Sequence, residues 1–204
     1  MHDQARNFTV FVKSILSDYF KNKRVLDVGA GDINGNNRFL FENCHYEGND
    51  VVQAPNATIV SKTKDLPFAP NSFDTIISTE CFEHDPEYKE SFLKIYDMLK
   101  PGGLFCFTCA STGRAEHGTR RTTPGDSYGT IGNLGDMIDY YKNLTGDDIS
   151  EIFLNKMGIF FSSFDTYYNA YSKDLYFVGI KAGSAPVFLA QYHERFVTKT
   201  TKAQ

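Results

Sequence analysis

The segment Val25-Leu-Asp-Val-Gly-Ala-Gly31 narrows the folds open to this chain more than any other stretch. An apolar run that stops at Gly-X-Gly is a strand breaking into a tight turn. Missing side chains let the backbone approach a ligand, and the start of the helix expected after the loop offers free amide donors to it. Such a loop belongs to an open, mostly parallel α/β sheet with a nucleoside-bearing ligand at the carboxyl ends of its strands. Two details select the ligand. A dinucleotide loop carries a third glycine three positions after the second, but position 34 is Asn and the next glycine is Gly35, so the pyrophosphate fingerprint is broken. Asp27 precedes the first glycine, where its charge would repel a diphosphate and attract a cationic amino group. Asp50 stands 19 residues beyond Gly31 at the expected end of a second strand, where a carboxylate accepts hydrogen bonds from ribose hydroxyls.

The remaining chain alternates strand-like runs with helical periodicity, as an α/β sheet requires. Phe8, Val12, Ile15 and Tyr19 fall on one helical face, and the basic turn from Lys21 to Arg24 closes this N-terminal helix, residues 1–20. Strands are expected at 24–28, 46–49 with Asp50 ending it, 57–60, 72–78 and 104–109. A short helix fits 38–43. A longer one begins near Pro86, carries Tyr88, Phe92, Ile95 and Leu99 on one face, and stops at Lys100-Pro-Gly-Gly103. Residues 111–133 are polar and longer than most connections in a compact domain, which marks a functional loop. Helical material over 134–156 and two aromatic strands at 159–169 and 175–181, joined by Tyr171-Ser-Lys-Asp174, complete the sheet as a hairpin. The stripe Phe160, Phe161, Phe164, Tyr167, Tyr168 reads as core and hairpin packing. The tail, 184–204, fits either a docked helix or an oligomer contact, so the state of assembly stays open.

Composition bounds the partners. A chain of 204 residues, 41% hydrophobic and 23% charged, fits one domain spanning 1–204. No apolar run reaches the ~18 residues of a membrane span, and Met1 to Arg6 is polar, so a cytoplasmic protein with no membrane partner is expected. A formal charge of -4 offers no footprint for phosphates, so no nucleic acid is expected either. Cys44, Cys81, Cys106 and Cys109 lack the paired spacing of a zinc site, and no metal is expected.

Val25 to Gly31, Asp65-Leu-Pro-Phe68, Ser72-Phe-Asp74, Glu83-His84 and Leu99-Lys-Pro-Gly-Gly103, in this order, resemble successive motifs of class I S-adenosylmethionine-dependent methyltransferases, the type 11 subgroup above all. The likeness covers about Lys23 to Ala110. It implies a Rossmann-like α/β fold: a seven-stranded, mostly parallel sheet with the last strand antiparallel and helices on both faces. It also implies S-adenosylmethionine as cofactor and S-adenosylhomocysteine as product. Carried onto this chain, Asp27, Gly29 and Gly31 would line the methionine and ribose, Asp50 would bind the ribose, and Val51 would pack on the adenine. Asp65 and Leu66 would flank the adenine edge, Ser78 would offer backbone near the methionine, and Glu80 and Cys81 would follow into the cleft. Where the family often has an acid four positions before the Leu of Leu-Pro-Phe, this chain has Lys62, which moves the adenine amino contact to Asp65 or a nearby carbonyl.

Transfer from a sulfonium is an in-line displacement with an activated leaving group, so orientation and desolvation supply most of the rate. A base is needed only where the acceptor must lose a proton. His84 and His117 are the candidates, His84 equally suiting a cap for the helix near Pro86. Arg114, Glu116, Arg120 and Tyr128 are candidate acceptor-binding residues, the arginines suiting a phosphate or carboxylate. This loop and Tyr140-Tyr-Lys-Asn-Leu-Thr145 are similar to methyltransferases of bacterial sugar and surface-polysaccharide genes, which implies a small-molecule acceptor such as a sugar nucleotide, and O-methylation. Two alternatives stand beside this. Phe107-Thr-Cys-Ala-Ser111 resembles the cysteine motif of RNA cytosine-5 methyltransferases, with Cys109 as nucleophile, although Ser78-Thr-Glu-Cys81 lacks their Pro-Cys. A non-catalytic regulatory protein that binds S-adenosylmethionine would share the fold.

Overall fold

The strands are β1 (Arg24–Val28), β2 (His45–Asp50), β3 (Ile59–Val60), β4 (Phe73–Thr79), β5 (Leu99–Ala110), β6 (Phe161–Asn169) and β7 (Asp174–Lys181), and the central β1, β4 and β5 are apolar runs buried on both faces. The computed structural model describes residues 1–183, so the tail at 184–204, expected as a docked helix or an oligomer contact, lies outside the described residues. The strands make one sheet in the order β3-β2-β1-β4-β5-β7-β6. β1 pairs parallel with β2 and β4, β2 with β3, and β4 with β5. β7 runs antiparallel between β5 and β6. Six strands therefore share one direction and the last in the chain opposes them, the Rossmann-like arrangement that the motifs implied.

Alternation along β4 and β5 builds two cores. Ile76, Phe105, Phe107 and Cys109 point to one face, where they meet Phe92 and Ile95 of α2 (Tyr88–Met98), Ile149 of α4 (Gly146–Ile152) and Phe160 of α5 (Met157–Phe160). Ile77, Leu104 and Cys106 point to the other, against Phe8 and Val12 of α1 (Asp3–Ile15). Phe92, Phe105 and Phe107 are fully or almost fully buried, and truncating one to Ala costs about 3–5 kcal/mol. Lys181 ends β7 inside the protein, donating to the carbonyls of Tyr96 (2.7 Å) and Leu99 (2.6 Å) and to Asn71 Oδ1 (3.2 Å).

Four expectations need correction. α1 stops at Ile15, which is exposed, and Tyr19 belongs to a separate 3₁₀ turn, Ser17–Phe20. In place of a helix over 38–43 there is one 3₁₀ turn, Arg38–Leu40, because Asp32 captures the Gly35 amide (2.7 Å) and the Asn36 side chain (2.6 Å) in a local turn that competes with helix. The span 134–156 is helical only at 135–137 and in α4, whose start is fixed by a Thr145–Asp148 capping box. The residues between are tied to the sheet instead, Lys142 N–H donating to the Glu83 carbonyl and Leu144 N–H to that of Ala110, both at 2.9 Å. Finally, Phe160 and Phe161 are buried, but Phe164, Tyr167 and Tyr168 are exposed because β6 is an edge strand.

Candidate active site

Chain order reverses between β1 and β4, and the crevice this leaves at their carboxyl ends is where a doubly wound sheet binds ligands. A cleft of about 200 Å³ opens there. Gly29 turns the chain out of β1 at φ +67°, and a Cβ on it would collide with the Cys81 side chain after β4. A Cβ on Gly31 would strike the Tyr128 ring and stand 2.6 Å from Asp50 Oδ2. That closeness is used: Gly31 N–H donates to Asp50 Oδ2 (2.9 Å) and Val51 N–H to Asp50 Oδ1 (2.7 Å). Each oxygen keeps a lone pair for a ribose hydroxyl. Tyr128, on the short helix α3 (Tyr128–Ile131), closes the cleft over Gly31, its hydroxyl 3.4 Å from the Asp32 carbonyl.

Asp27 lies beneath this loop. It is 1% exposed and accepts from the Tyr46 hydroxyl and from Asn37 Nδ2 (3.2 and 3.3 Å). Burial pushes its carboxyl up to about 7 against the pull of those hydrogen bonds. Near neutrality it is half protonated, and an approaching cation would complete its ionisation.

At the other end of the cleft the charges fall into two groups. Glu80, in the left-handed region at φ 52°, accepts from Thr108 Oγ1 (2.8 Å) and faces His2 at 3.2 Å. Asp174, fully buried, holds Arg114 and His2, each at 3.0 Å. Burial opposes the charge on His2, but the two carboxylates override it and raise its pKa to about 10. Two cations thus meet two carboxylates. Glu83 has no such partner. It sits fully buried in the turn Phe82–His84, and neither carboxylate oxygen has a hydrogen bond of normal geometry. Burial pushes its carboxyl well up. His117 Nε2 stands 3.9 Å from its Oε1, and the His117 ring meets His84 edge-on at 5.0 Å. Burial first, then His117, hold His84 down at about 3, so its ring is neutral at physiological pH.

Residues 26–107 match the methyltransferase domain family of type 11. Over that span the chain matches a class I methyltransferase domain of this type. The family uses S-adenosylmethionine. Phosphoethanolamine N-methyltransferase 2 of Caenorhabditis elegans is 38% identical over 56 residues, 28% of this chain and 13% of that protein. Sterol 24-C-methyltransferase of Clavispora lusitaniae is 33% identical over 103 residues, 42% of this chain and 27% of that protein. The chain thus spans about a quarter or less of these relatives' lengths. Among solved structures, 1,6-didemethyltoxoflavin-N1-methyltransferase of Burkholderia thailandensis superposes with a TM-score of 0.59 at 16% identity, over 88% of this chain and 79% of that one.

Asp27, Gly29, Gly31, Asp50, Val51, Cys81 and His84 of the matched span line the cleft together with Arg114, His117 and Tyr128 beyond it. Others fall elsewhere. Asp65 is exposed and paired with Lys64 (3.2 Å), and Leu66 is a core residue; Lys62 and Thr63 take the cleft wall in their place. Ser78 is buried between strands, its hydroxyl donating to the Val28 carbonyl (2.8 Å), and Thr79 reaches the cleft instead. Glu116 holds Arg121 (2.9 Å) and Arg120 holds Asp139, both at the surface. Tyr128 sits over the glycine loop, its ring against Gly31. Cys109 is fully buried in the sheet, and burial pushes its thiol far up, which removes it as a nucleophile and with it the cytosine-5 reading. Asn37, Tyr46 and Glu83 were missed. Glu83 was visible only as a motif letter, and Asn37 lies in a polar loop with no periodicity to place it.

Proposed function

We propose that this protein binds S-adenosylmethionine in the cleft and methylates a hydroxyl group of a small molecule. The observation that carries the reading is Gly31 against Asp50: a bare Cα beside a buried carboxylate with free lone pairs, at the switch point of the sheet. Asp27 suits the cationic methionine part, because a carboxyl titrating at about 7 gains its charge when a cation arrives. When bound, the cofactor supplies an electrophilic methyl group on a cationic sulfur.

The residues of this chain do the rest. Arg114, Arg120 and Arg121 already hold Asp174, Asp139 and Glu116, which favours an uncharged hydroxyl compound, a sugar among them, over a sugar nucleotide. The relatives act on phosphoethanolamine, a sterol and 1,6-didemethyltoxoflavin. A hydroxyl acceptor must shed its proton as its oxygen attacks the methyl carbon, and the His117 imidazole, with His84 beside it, lines that end of the cleft.

Calorimetric titration with S-adenosylhomocysteine and with NAD, followed by a screen of methyl transfer to sugars, sugar nucleotides, phenols and amines, tests this. Tight binding of S-adenosylhomocysteine, none of NAD, and an O-methylated product are expected. Failure to bind S-adenosylhomocysteine overturns the proposal. Binding with no turnover on any acceptor favours the regulatory alternative.

A further inference from the structure

We infer that Glu83, His84 and His117 form a site for one divalent transition-metal ion, zinc by the character of its ligands, at the acceptor end of the cleft. Ligand atoms of the three lie within 4.8 Å of one another. Glu83 is wholly buried, and its carboxylate meets only the backbone amides of Glu83 and Ala110, neither in normal hydrogen-bond geometry, while His84, 7% exposed, has its Nδ1 unsatisfied. A buried carboxylate without a partner is retained only where something else meets its charge.

The orientation of His117 sharpens this. Its Nδ1 stands 3.1 Å from the Ala115 carbonyl, so Nδ1 carries the proton and Nε2 turns its lone pair to Glu83, 3.9 Å away. In that tautomer Nε2 has no proton to give, and the 3.9 Å gap to Glu83 is too long for a direct hydrogen bond. A cation about 2.0–2.2 Å from each satisfies both, and such a backbone-anchored tautomer is what a metal-binding imidazole needs. The neighbouring trio His2, Glu80 and Asp174 differs, because Arg114 and His2 already neutralise its carboxylates. Two imidazoles and one carboxylate are a zinc ligand set that leaves a position open, whereas calcium and magnesium prefer oxygen alone.

His84 and His117 line the cleft, so the open position faces the acceptor. An acceptor hydroxyl bound there loses its proton to solvent near neutral pH, and the oxygen keeps the electron pair with which it attacks the methyl carbon. The histidines then serve as ligands rather than bases, and the absence of a cysteine pattern no longer argues against a metal. Only this last role rests on the methyl-transfer reading; binding of the ion does not.

The test uses the full chain, freed of metal by chelator dialysis and titrated with Co²⁺ as a coloured substitute. One equivalent should bind with a visible ligand-field spectrum, Zn²⁺ should displace it, and both ions should raise the melting temperature. His117→Gln, at a partly exposed position, and Glu83→Gln should each weaken Co²⁺ binding by at least about tenfold, since even outer partners of a metal site are worth that much. Folded protein that binds no Co²⁺, or binding that survives His117→Gln with circular dichroism unchanged, overturns the site. S-adenosylhomocysteine titrations run in parallel keep the two questions apart. Co²⁺ binding without S-adenosylhomocysteine binding supports the metal site and removes the cofactor reading; the reverse result does the opposite.

Discussion

Asp27→Asn should abolish a pH dependence of stability that the wild-type protein carries between about pH 4 and 7. In the folded chain burial raises the Asp27 carboxyl from 3.8 to about 7. The folded state therefore keeps a proton that the unfolded state has lost, and stability falls as pH rises through this window. Each pH unit is worth about 1.4 kcal/mol where the two states differ by a full proton. Between pH 5 and 7 the loss comes to about 2 kcal/mol, and above pH 8, where both states are ionised, it levels off. Asparagine is isosteric and uncharged, and a flip of the Asn37 amide, which now turns Nδ2 to Asp27, brings its unpartnered Oδ1 round as an acceptor. The variant should fold, equal or exceed the wild type at pH 7, and lose affinity for the cationic cofactor. Urea unfolding of both proteins at half-unit pH steps measures this. His2, raised to about 10, and His84, lowered to about 3, also contribute slopes, but these are common to both proteins and cancel in the difference. A wild-type minus variant difference that is flat from pH 5 to 7 would refute the placement of a proton on Asp27.

Gly31→Ala should weaken S-adenosylhomocysteine binding at least tenfold, equal to about 1.4 kcal/mol, because the new methyl group meets Tyr128 and crowds Asp50 Oδ2 at 2.6 Å; calorimetry reads it. The Tyr128 ring lies against Gly31 at the cleft, so a ligand entering over the glycine loop meets that ring. Tyr128→Ala should therefore raise the association rate of S-adenosylhomocysteine in stopped-flow fluorescence, and an unchanged rate refutes the closure. Lys181→Ala should lower stability by at least about 3 kcal/mol in urea, because three acceptors lose their donor inside the protein. Cys106 and Cys109 should stay unreactive toward a thiol reagent until the protein unfolds, since both are wholly buried and burial raises both thiols.

The parts of this fold that were legible in the sequence are those set by local rules. β1, β4, α2 and the β6–β7 hairpin announce themselves through periodicity and breakers, Gly29 and Gly31 through a loop with no room for a Cβ, and Asp50 through its place at the end of β2. What lay hidden depends on partners distant in sequence. Asp27 looks like a ligand carboxylate, but its proton is set by burial under the loop, against the pull of Tyr46 and Asn37. Arg114 looks like an anion receptor until Asp174, 60 positions on, occupies it. Asp65 fails through register: a 3₁₀ turn at Thr63–Asp65 rotates Thr63 inward and Asp65 out. His84 and His117 carry no spacing that ties them, since the loop between them has no period of its own.

The place of β7 between β5 and β6 bears on how such a chain acquires its shape. Leu104 to Ala110 pair with Ile180 to Asp174, so β5 keeps an open, apolar edge until that late strand arrives. The parallel half, β3 to β5 with α2, can assemble on the ribosome well before. Closure then waits on contacts of long sequence separation, which makes it the slow step and the stage most exposed to misassociation. Substitutions in β7 should therefore harm soluble yield more than their cost to the finished protein.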